Sequence, residues 1–249
     1  MKPSTARPPR FAIASDALDG KIARVEGDEL HHMRDVMRLN AGAAVHIFTD
    51  SGAEFEGRVA GYAIDYAAIE IIGTTERNSL QPTIILATAI IKGPRMDFIV
   101  EKAAELGATA LWPLECARAV VRNPGFERIG RWQRLVLAAT KQSRSQFRME
   151  IRAPISVAEA AREVPKETLA LVCLEGAEPL AAIVRRERPR AMLIACGPEG
   201  DLDEAEYAAM HAAGFVTAGL GPNRLRSETA TLAALSVAAG ALDEIERGI

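Results

Sequence analysis

The stretch Met192-Leu193-Ile194-Ala195-Cys196-Gly197-Pro198-Glu199-Gly200-Asp201 decides how this chain reads. Met192 to Cys196 is a short apolar run that ends in two glycines bracketing Pro198 and Glu199. Asp203-Glu204-Ala205-Glu206 then opens a helix, with Asp203 and Glu206 at capping-box spacing. Ligands of open α/β sheets bind just past the carboxyl ends of strands, and glycines there let the backbone approach them closely. A tight connection with a charged tip is the alternative reading of the same residues.

The same rhythm recurs on either side. Downstream, Phe215 to Leu220 is a strand, and Gly221-Pro222-Asn223-Arg224-Leu225-Arg226-Ser227-Glu228-Thr229-Ala230 enters a helix of small and apolar residues, with Arg226 and Glu228 at the turn. Upstream, a strand at Thr83 to Ile91 leads into a helix at Met96 to Leu106, and Ala110 to Trp112 and Leu169 to Leu174 are further apolar runs. This alternation predicts an α/β layer with a mostly parallel sheet. The longest helical pattern, Phe126 to Phe147, buries Trp132, Leu135, Val136 and Ala139 and carries Arg128, Arg131, Arg134, Lys141, Arg144 and Arg148 on its other face. Neither glycine turn matches a phosphate cradle, because the chain has no Gly-x-x-x-x-Gly-Lys and no Gly-x-Gly-x-x-Gly.

The first part of the chain is different. Phe11 to Ala14, Lys21 to Val25, Ala44 to Phe48, Phe55 to Ala60 and Ala67 to Ile72 are short strand patterns separated by turn residues. One helix, Asp28 to Arg38, interrupts them and places Leu30, Met33, Val36 and Met37 on one side. A small β-rich barrel or sandwich is expected, with the boundary near residues 74 to 82.

At 249 residues the chain has room for one or two domains, and its 49% hydrophobic and 25% charged residues give an ordinary globular balance. No apolar run approaches the roughly 18 residues of a membrane span. The start, with Pro3, Pro8, Pro9 and three basic residues, lacks the apolar stretch of a secretory signal. Cys116, Cys173 and Cys196 are odd in number and widely spaced, which fits reduced thiols in a cytoplasmic protein better than disulfides or zinc. The net charge of -3 is unevenly spread: residues 1–91 hold 9 basic and 12 acidic side chains, 92–152 hold 12 and 6, and 153–249 hold 9 and 15. The middle segment is a basic island, suited to RNA phosphates or equally to a solvated Arg-rich helix face.

Several segments, in order, resemble the ribosomal RNA small subunit methyltransferase E family. They are Arg10-Phe11, His31-His32-Met33-Arg34-Asp35-Val36-Met37-Arg38, Lys92-Gly93-Pro94-Arg95-Met96-Asp97, Glu101 to Gly107, Lys141-Gln142-Ser143-Arg144, and the turns after Cys196 and Leu220. The resemblance runs from about residue 10 to about 240. It implies a PUA-like β-barrel for RNA binding at 1–76 and a SPOUT α/β domain with a deep trefoil knot around S-adenosylmethionine at 77–249. It also implies a homodimer acting in the cytoplasm on 16S rRNA, within the small ribosomal subunit, with no DNA, membrane or metal partner. Two departures stand out: Asp201 replaces a usual glycine, and Asn223-Arg224 replaces a usual Arg-Ile.

The implied reaction is methylation of uridine N3, in which the imide proton is lost and negative charge spreads to O2 and O4. Arg226 is the first candidate to stabilise that charge, and Arg10, from the barrel, is the second. Glu228 either accepts the proton or orients Arg226. Cofactor contacts are expected at Leu174, Gly197, Glu199, Gly200, Leu220, Gly221, Leu225 and Thr229, mostly through the main chain. RNA contacts are expected at Arg10, Arg34, Arg38, Lys92, Arg95, Lys141, Arg144 and Arg148. N3 lies on the Watson–Crick edge, so the base must be unpaired or extruded. His31 and His32 read as structural or RNA contacts, Cys196 as a small buried residue, Glu101 and Glu105 as structural partners, and Trp112 and Trp132 as core or interface. The competing functions are a non-catalytic ribosome-assembly factor and a methyltransferase with another RNA acceptor.

Overall fold

The structure, a computed structural model, describes residues 8–49, 53–74, 82–121, 124–143 and 148–248. It divides into two compact units, Met1–Asn78 and Ser79–Ile249.

The first unit is a curled sheet of β1 (Arg10–Ile13), β2 (Leu18–Asp19), β3 (Ile22–Glu26), β4 (Ala44–Thr49), β5 (Glu54–Tyr62) and β6 (Tyr66–Thr74), in the order β1-β4-β5-β6-β3-β2. Strands β1 and β4 pair in parallel, and the other pairs are antiparallel. Strands β1 and β3 also touch, so the sheet rolls towards closure. The alternation in sequence explains the roll: Ala23, Val25, Val45, Ile47, Val59 and Ile69 point inward, around Phe11 and Met33. Gly57 lies where the rolled strands crowd, since a Cβ there would come within 2.5 Å of Ile69 Cγ2.

The helix expected over Asp28–Arg38 is only partly regular. It is α1 (Gly27–His31), followed by a π-helical turn, His32–Val36, closed by the Met37 amide donating to His32 O at 2.9 Å. A π turn takes an extra residue, so side chains one turn beyond Met33 rotate off the inner face. Leu30 and Met33 are buried, whereas Val36 and Met37, expected beside them, are exposed. His31 Nδ1 lies 2.8 Å from the Asp35 carboxylate, and the His32 ring tilts against Phe11. Hydrogen bonds from Arg34 and His31 hold the Asp35 carboxyl below its ordinary range.

The second unit is a parallel sheet between helices. Its strands are β7 (Thr83–Ala89), β8 (Ala110–Glu115), β9 (Glu150–Ile151), β10 (Ile155–Ser156), β11 (Leu169–Cys173), β12 (Ala191–Cys196) and β13 (Val216–Ala218). The order is β10-β8-β7-β12-β11-β13, with β9 also on β8. The helices are α2 (Pro94–Glu105), α3 (Phe126–Ser143), α4 (Val157–Arg162), α5 (Leu180–Glu187), α6 (Glu204–Ala212) and α7 (Ser227–Arg247).

A sheet covered on both faces needs strands apolar at successive positions, and the runs at β7, β11 and β12 supply them. Leu86, Leu171, Met192 and Ile194 face one core, with Met96, Ile99, Trp132, Ile183 and Leu235 from α2, α3, α5 and α7. Ile85, Ala87, Val172, Leu193 and Ala195 face the other, with Val157 and Ala160 of α4 and Met210 of α6. Burying each of the larger side chains contributes about 1.5–3 kcal/mol relative to exposure. Trp132 is fully buried yet satisfied, its Nε1 donating to Asp97 Oδ1 at 3.0 Å. Lys102 Nζ donates to both Glu101 and Glu105 at 2.7 Å, so these carboxylates are engaged on α2 itself.

The main strands and helices lie where the periodicity puts them, with their ends shifted by a few residues. Strand β13 is shorter than the Phe215–Leu220 pattern, and α3 is described to Ser143, with residues 144–147 outside the described set. The short β2, β9 and β10 carry too few periodic residues to be read beforehand, whereas α4 and α5 do carry a helical signal, in the Ser156 and Glu159 capping box and in Leu180, Ile183 and Val184 at helical spacing.

Candidate active site

The carboxyl ends of β11, β12 and β13 open into one cavity of about 460 Å³. Three turns build it. Leu174 and Glu175 follow β11, Gly197 to Glu199 and Asp201 follow β12, and residues between Leu220 and Arg226 lead from β13 towards α7.

Each turn is held by its own chemistry. Asp203 caps α6 by accepting the Glu206 amide at 2.8 Å, and the Asp203 amide in turn donates to the Glu206 carboxylate at 2.9 Å. Glu206 also accepts the Ala117 amide at 2.7 Å. Arg118 donates to Gly200 O at 3.2 Å and Leu202 O at 3.3 Å, pinning the far side of the turn after β12. Ser227, the first residue of α7, donates to Gly197 O at 2.8 Å, so two turns are joined directly. Thr88 and Thr231 share a buried hydroxyl contact at 3.1 Å, which fixes α7 to β7.

The turn after β11 meets β13 at closer range. The Leu174 amide donates to Ala218 O at 3.0 Å, the Gly219 amide to Glu178 O at 2.7 Å, and the Leu180 amide to Gly219 O at 2.9 Å. A Cβ on Gly219 would fall well inside van der Waals contact of Ala177 O, so only glycine fits.

Arg95, near the start of α2, bridges the turn after β12 and the start of α7. Its Nη2 lies 3.0 Å from Glu199 Oε1 and its Nη1 3.6 Å from Glu228 Oε2. A cation in the first turn of a helix opposes the macrodipole by about 0.3–1 kcal/mol, and the two carboxylates offset that. The Glu228 side chain is 14% exposed, and its Oε2 accepts no hydrogen bond among the described residues. Arg226 is exposed on the cavity wall and forms no ion pair among the described residues.

Of the expected cofactor contacts, Leu174, Gly197, Glu199, Leu220, Gly221 and Leu225 line the cavity, while Gly200 and Thr229 stand outside its wall. Arg226 lines it, and Glu228 connects to it through Arg95 and Glu199. Arg10 belongs to the barrel unit, where its Nη2 lies 2.8 Å from Glu54 Oε1 and its guanidinium covers the Phe48 ring. Burial lowers the Arg10 pKa and raises that of Glu54, in each case against the attraction of the partner.

Among the expected RNA contacts, Arg34, Arg38 and Lys92 are exposed, and Lys141 and Arg148 are half-buried. Arg34 donates to Asp35 and to Ile64 O. Arg95 is engaged with Glu199 and Glu228 as described, and Arg144 lies outside the described residues.

Cys173, Glu175, Ser227 and Ala230 also line the cavity, beyond the residues expected from sequence. The rule that ligands sit past strand ends points to the first two, since they flank Leu174 at the end of β11. Cys196 is buried, and its thiol donates to Cys173 Sγ at 3.5 Å. That bond and burial push the Cys173 thiol well up, which leaves little thiolate for nucleophilic chemistry.

Residues 78–239 match the family model described as RNA methyltransferase domain, and residues 25–61 match the RNA methyltransferase PUA domain. The Bacillus subtilis ribosomal RNA small subunit methyltransferase E is 30% identical over 226 residues, covering 85% of this chain and 87% of the relative. The chain belongs to the ribosomal RNA small subunit methyltransferase E family. A Synechocystis member is 29% identical over 91% of this chain and 76% of its own length. The crystal structure of the Neisseria gonorrhoeae ribosomal RNA small subunit methyltransferase E bound to S-adenosylmethionine superposes with a TM-score of 0.74 at 30% identity, covering 92% of this chain and 96% of that one. In this family member the curled barrel-like sheet precedes a SPOUT-type α/β unit, and no helix among the described residues is long and apolar enough to cross a membrane.

Proposed function

We propose that this family member transfers a methyl group from S-adenosylmethionine to N3 of a uridine in 16S ribosomal RNA. The observation that carries the reading is the convergence of three strand-end turns on one cavity, with Arg226 on its wall. The cavity fits the cofactor: about 460 Å³ lies within the roughly 300–1,000 Å³ of small-molecule sites, and its wall mixes backbone-rich glycine turns with a few polar side chains.

When bound, the cofactor supplies an electrophilic sulfonium methyl group. The protein supplies position and charge. As the uridine N3 proton leaves, the Arg226 guanidinium offsets the negative charge growing on O2 and O4. Glu228 is the group proposed to take the proton, with Arg95 fixing its carboxylate relative to Glu199.

Residues 1–76 are proposed as the RNA-binding domain and 77–249 as the methyltransferase domain, working as a cytoplasmic homodimer on the small ribosomal subunit. The close passage of the Leu174–Leu180 segment against Ala218 and Gly219 supports a knotted C-terminal chain. The α3 face offers the cations for RNA. Charge reversal at Arg128 and Arg134 is expected to weaken RNA binding and to flatten its salt dependence by about one to two in log–log slope, with cofactor affinity unchanged. Filter binding across a salt series reads the slope; a parallel loss of cofactor binding would assign those residues to the fold.

Nucleoside mass spectrometry of 16S rRNA from a deletion strain, with and without the restored gene, tests the reaction. Loss and recovery of 3-methyluridine is expected. Restoration of a different methylated nucleoside would move the acceptor, and an unchanged profile would point to an assembly role.

A further inference from the structure

Asp201 stands on the cavity wall with φ +64°, in the left-handed region where a Cβ crowds the following carbonyl and glycine escapes that crowding. Arg38, Glu167 and Arg188 share that region, and none of them borders the cavity. Strain kept at a ligand cavity points to a use for the side chain that bears it.

The carboxylate is fixed. Its Oδ1 accepts the Leu202 amide at 2.8 Å and the Tyr207 hydroxyl at 2.9 Å, and the Asp201 amide donates to Pro198 O at 2.9 Å. Burial, together with the Asp201 bond, raises the Tyr207 phenol, which keeps it a donor. Both side-chain bonds come from neutral donors and fall on one oxygen, so the negative charge and the second oxygen's acceptor capacity remain. Glu199, on the same turn, has its charge offset by Arg95. Asp201 has no ion pair among the described residues.

The cavity is also polarised along its rim. The turns after β11 and β12 contribute Glu175, Glu199 and Asp201, and the turn before α7 contributes Arg224 and Arg226. An uncompensated carboxylate favours a ligand in proportion to its positive charge. The methyl donor carries a sulfonium cation that the spent cofactor, S-adenosylhomocysteine, has lost.

We propose that Asp201 is a specificity-determining residue that makes the cavity prefer the cationic methyl donor over its neutral-sulfur product, limiting inhibition by spent cofactor. The proposal rests on the cofactor assignment made above. It concerns binding alone and requires no particular RNA acceptor.

Calorimetry with S-adenosylmethionine and with S-adenosylhomocysteine, on the native protein, Asp201→Asn and Asp201→Gly, tests it. Asparagine keeps the size and tolerates the left-handed backbone, and glycine removes both side chain and strain, so both variants are expected to fold. Each should lose about five- to tenfold in S-adenosylmethionine affinity, with S-adenosylhomocysteine affinity held within about twofold, an effect sized for a partly screened charge pair. Raising the salt should shrink the native preference towards that of the variants. Equal changes in both affinities, or none in either, would overturn the role of Asp201. A native protein that binds neither ligand would overturn the cofactor assignment itself.

Discussion

Alanine at Gly219 is expected to cost about 3 kcal/mol or more, or to prevent folding of the second unit, because the clash is with backbone that cannot step aside. The added Cβ would overlap Ala177 O and sit 3.1 Å from the Ala177 carbonyl carbon. Relief would require moving Gly219 away from the segment it bonds through its own amide to Glu178 O and its carbonyl to the Leu180 amide. Those bonds position Leu174 and Leu220, which line the cavity, so cofactor binding should fall with stability. Denaturant unfolding measures the first effect, and a loss of about 3 kcal/mol corresponds to a drop of about 6–12 °C in Tm for a chain of this size. Gly240→Ala is the matched control: it lies inside α7 with nothing within 4 Å of a built Cβ, so alanine there should stabilise by about 0.5–1 kcal/mol. Equal behaviour of the two variants would show that the close passage at Ala177 is not a constraint.

Arg226→Ala is expected to lower kcat for methyl transfer by about 10²–10³, the loss seen when one donor to a developing anion is removed. The residue is suited to that measurement because its side chain is exposed and has no ion pair among the described residues, so its removal leaves no buried charge behind. The fold should survive, and cofactor affinity should change far less than kcat. Lysine should restore part of the rate, since it returns the charge without the planar fork that can face two carbonyl oxygens. Single-turnover kinetics with small-subunit particles separates the chemical step from release. A kcat within a few-fold of native, with normal cofactor binding, would remove Arg226 from the reaction.

The parallel sheet is legible in the sequence because its strands are continuous apolar runs ending in glycine turns, as at Met192 to Gly197. The barrel strands are legible through alternation, as at Val45, Ile47 and Val59. The π turn at His32–Val36 is not, because an apolar spacing of three and four residues is shared by regular helices and by helices that widen midway. The cavity wall is partly legible in the glycine turns. Arg95 is legible as a cation of the basic segment and an expected RNA contact, while its pairing with Glu199 and Glu228 is not, because it depends on contacts between residues far apart in the chain. Likewise, the family resemblance marks Asp201 as a departure, while its left-handed backbone and its bond from Tyr207 emerge only from the fold.

Strand order also sets how this chain must assemble as it is synthesised. Strand β7 finds its neighbour β12 only after roughly a hundred intervening residues have been made, a separation that slows folding relative to local pairing. Until then the apolar Thr83–Ala89 segment has β8 on one side and an open edge on the other. Such an edge is a template for pairing with other chains, so nascent protein is exposed to aggregation between emergence of β8 and completion of β12.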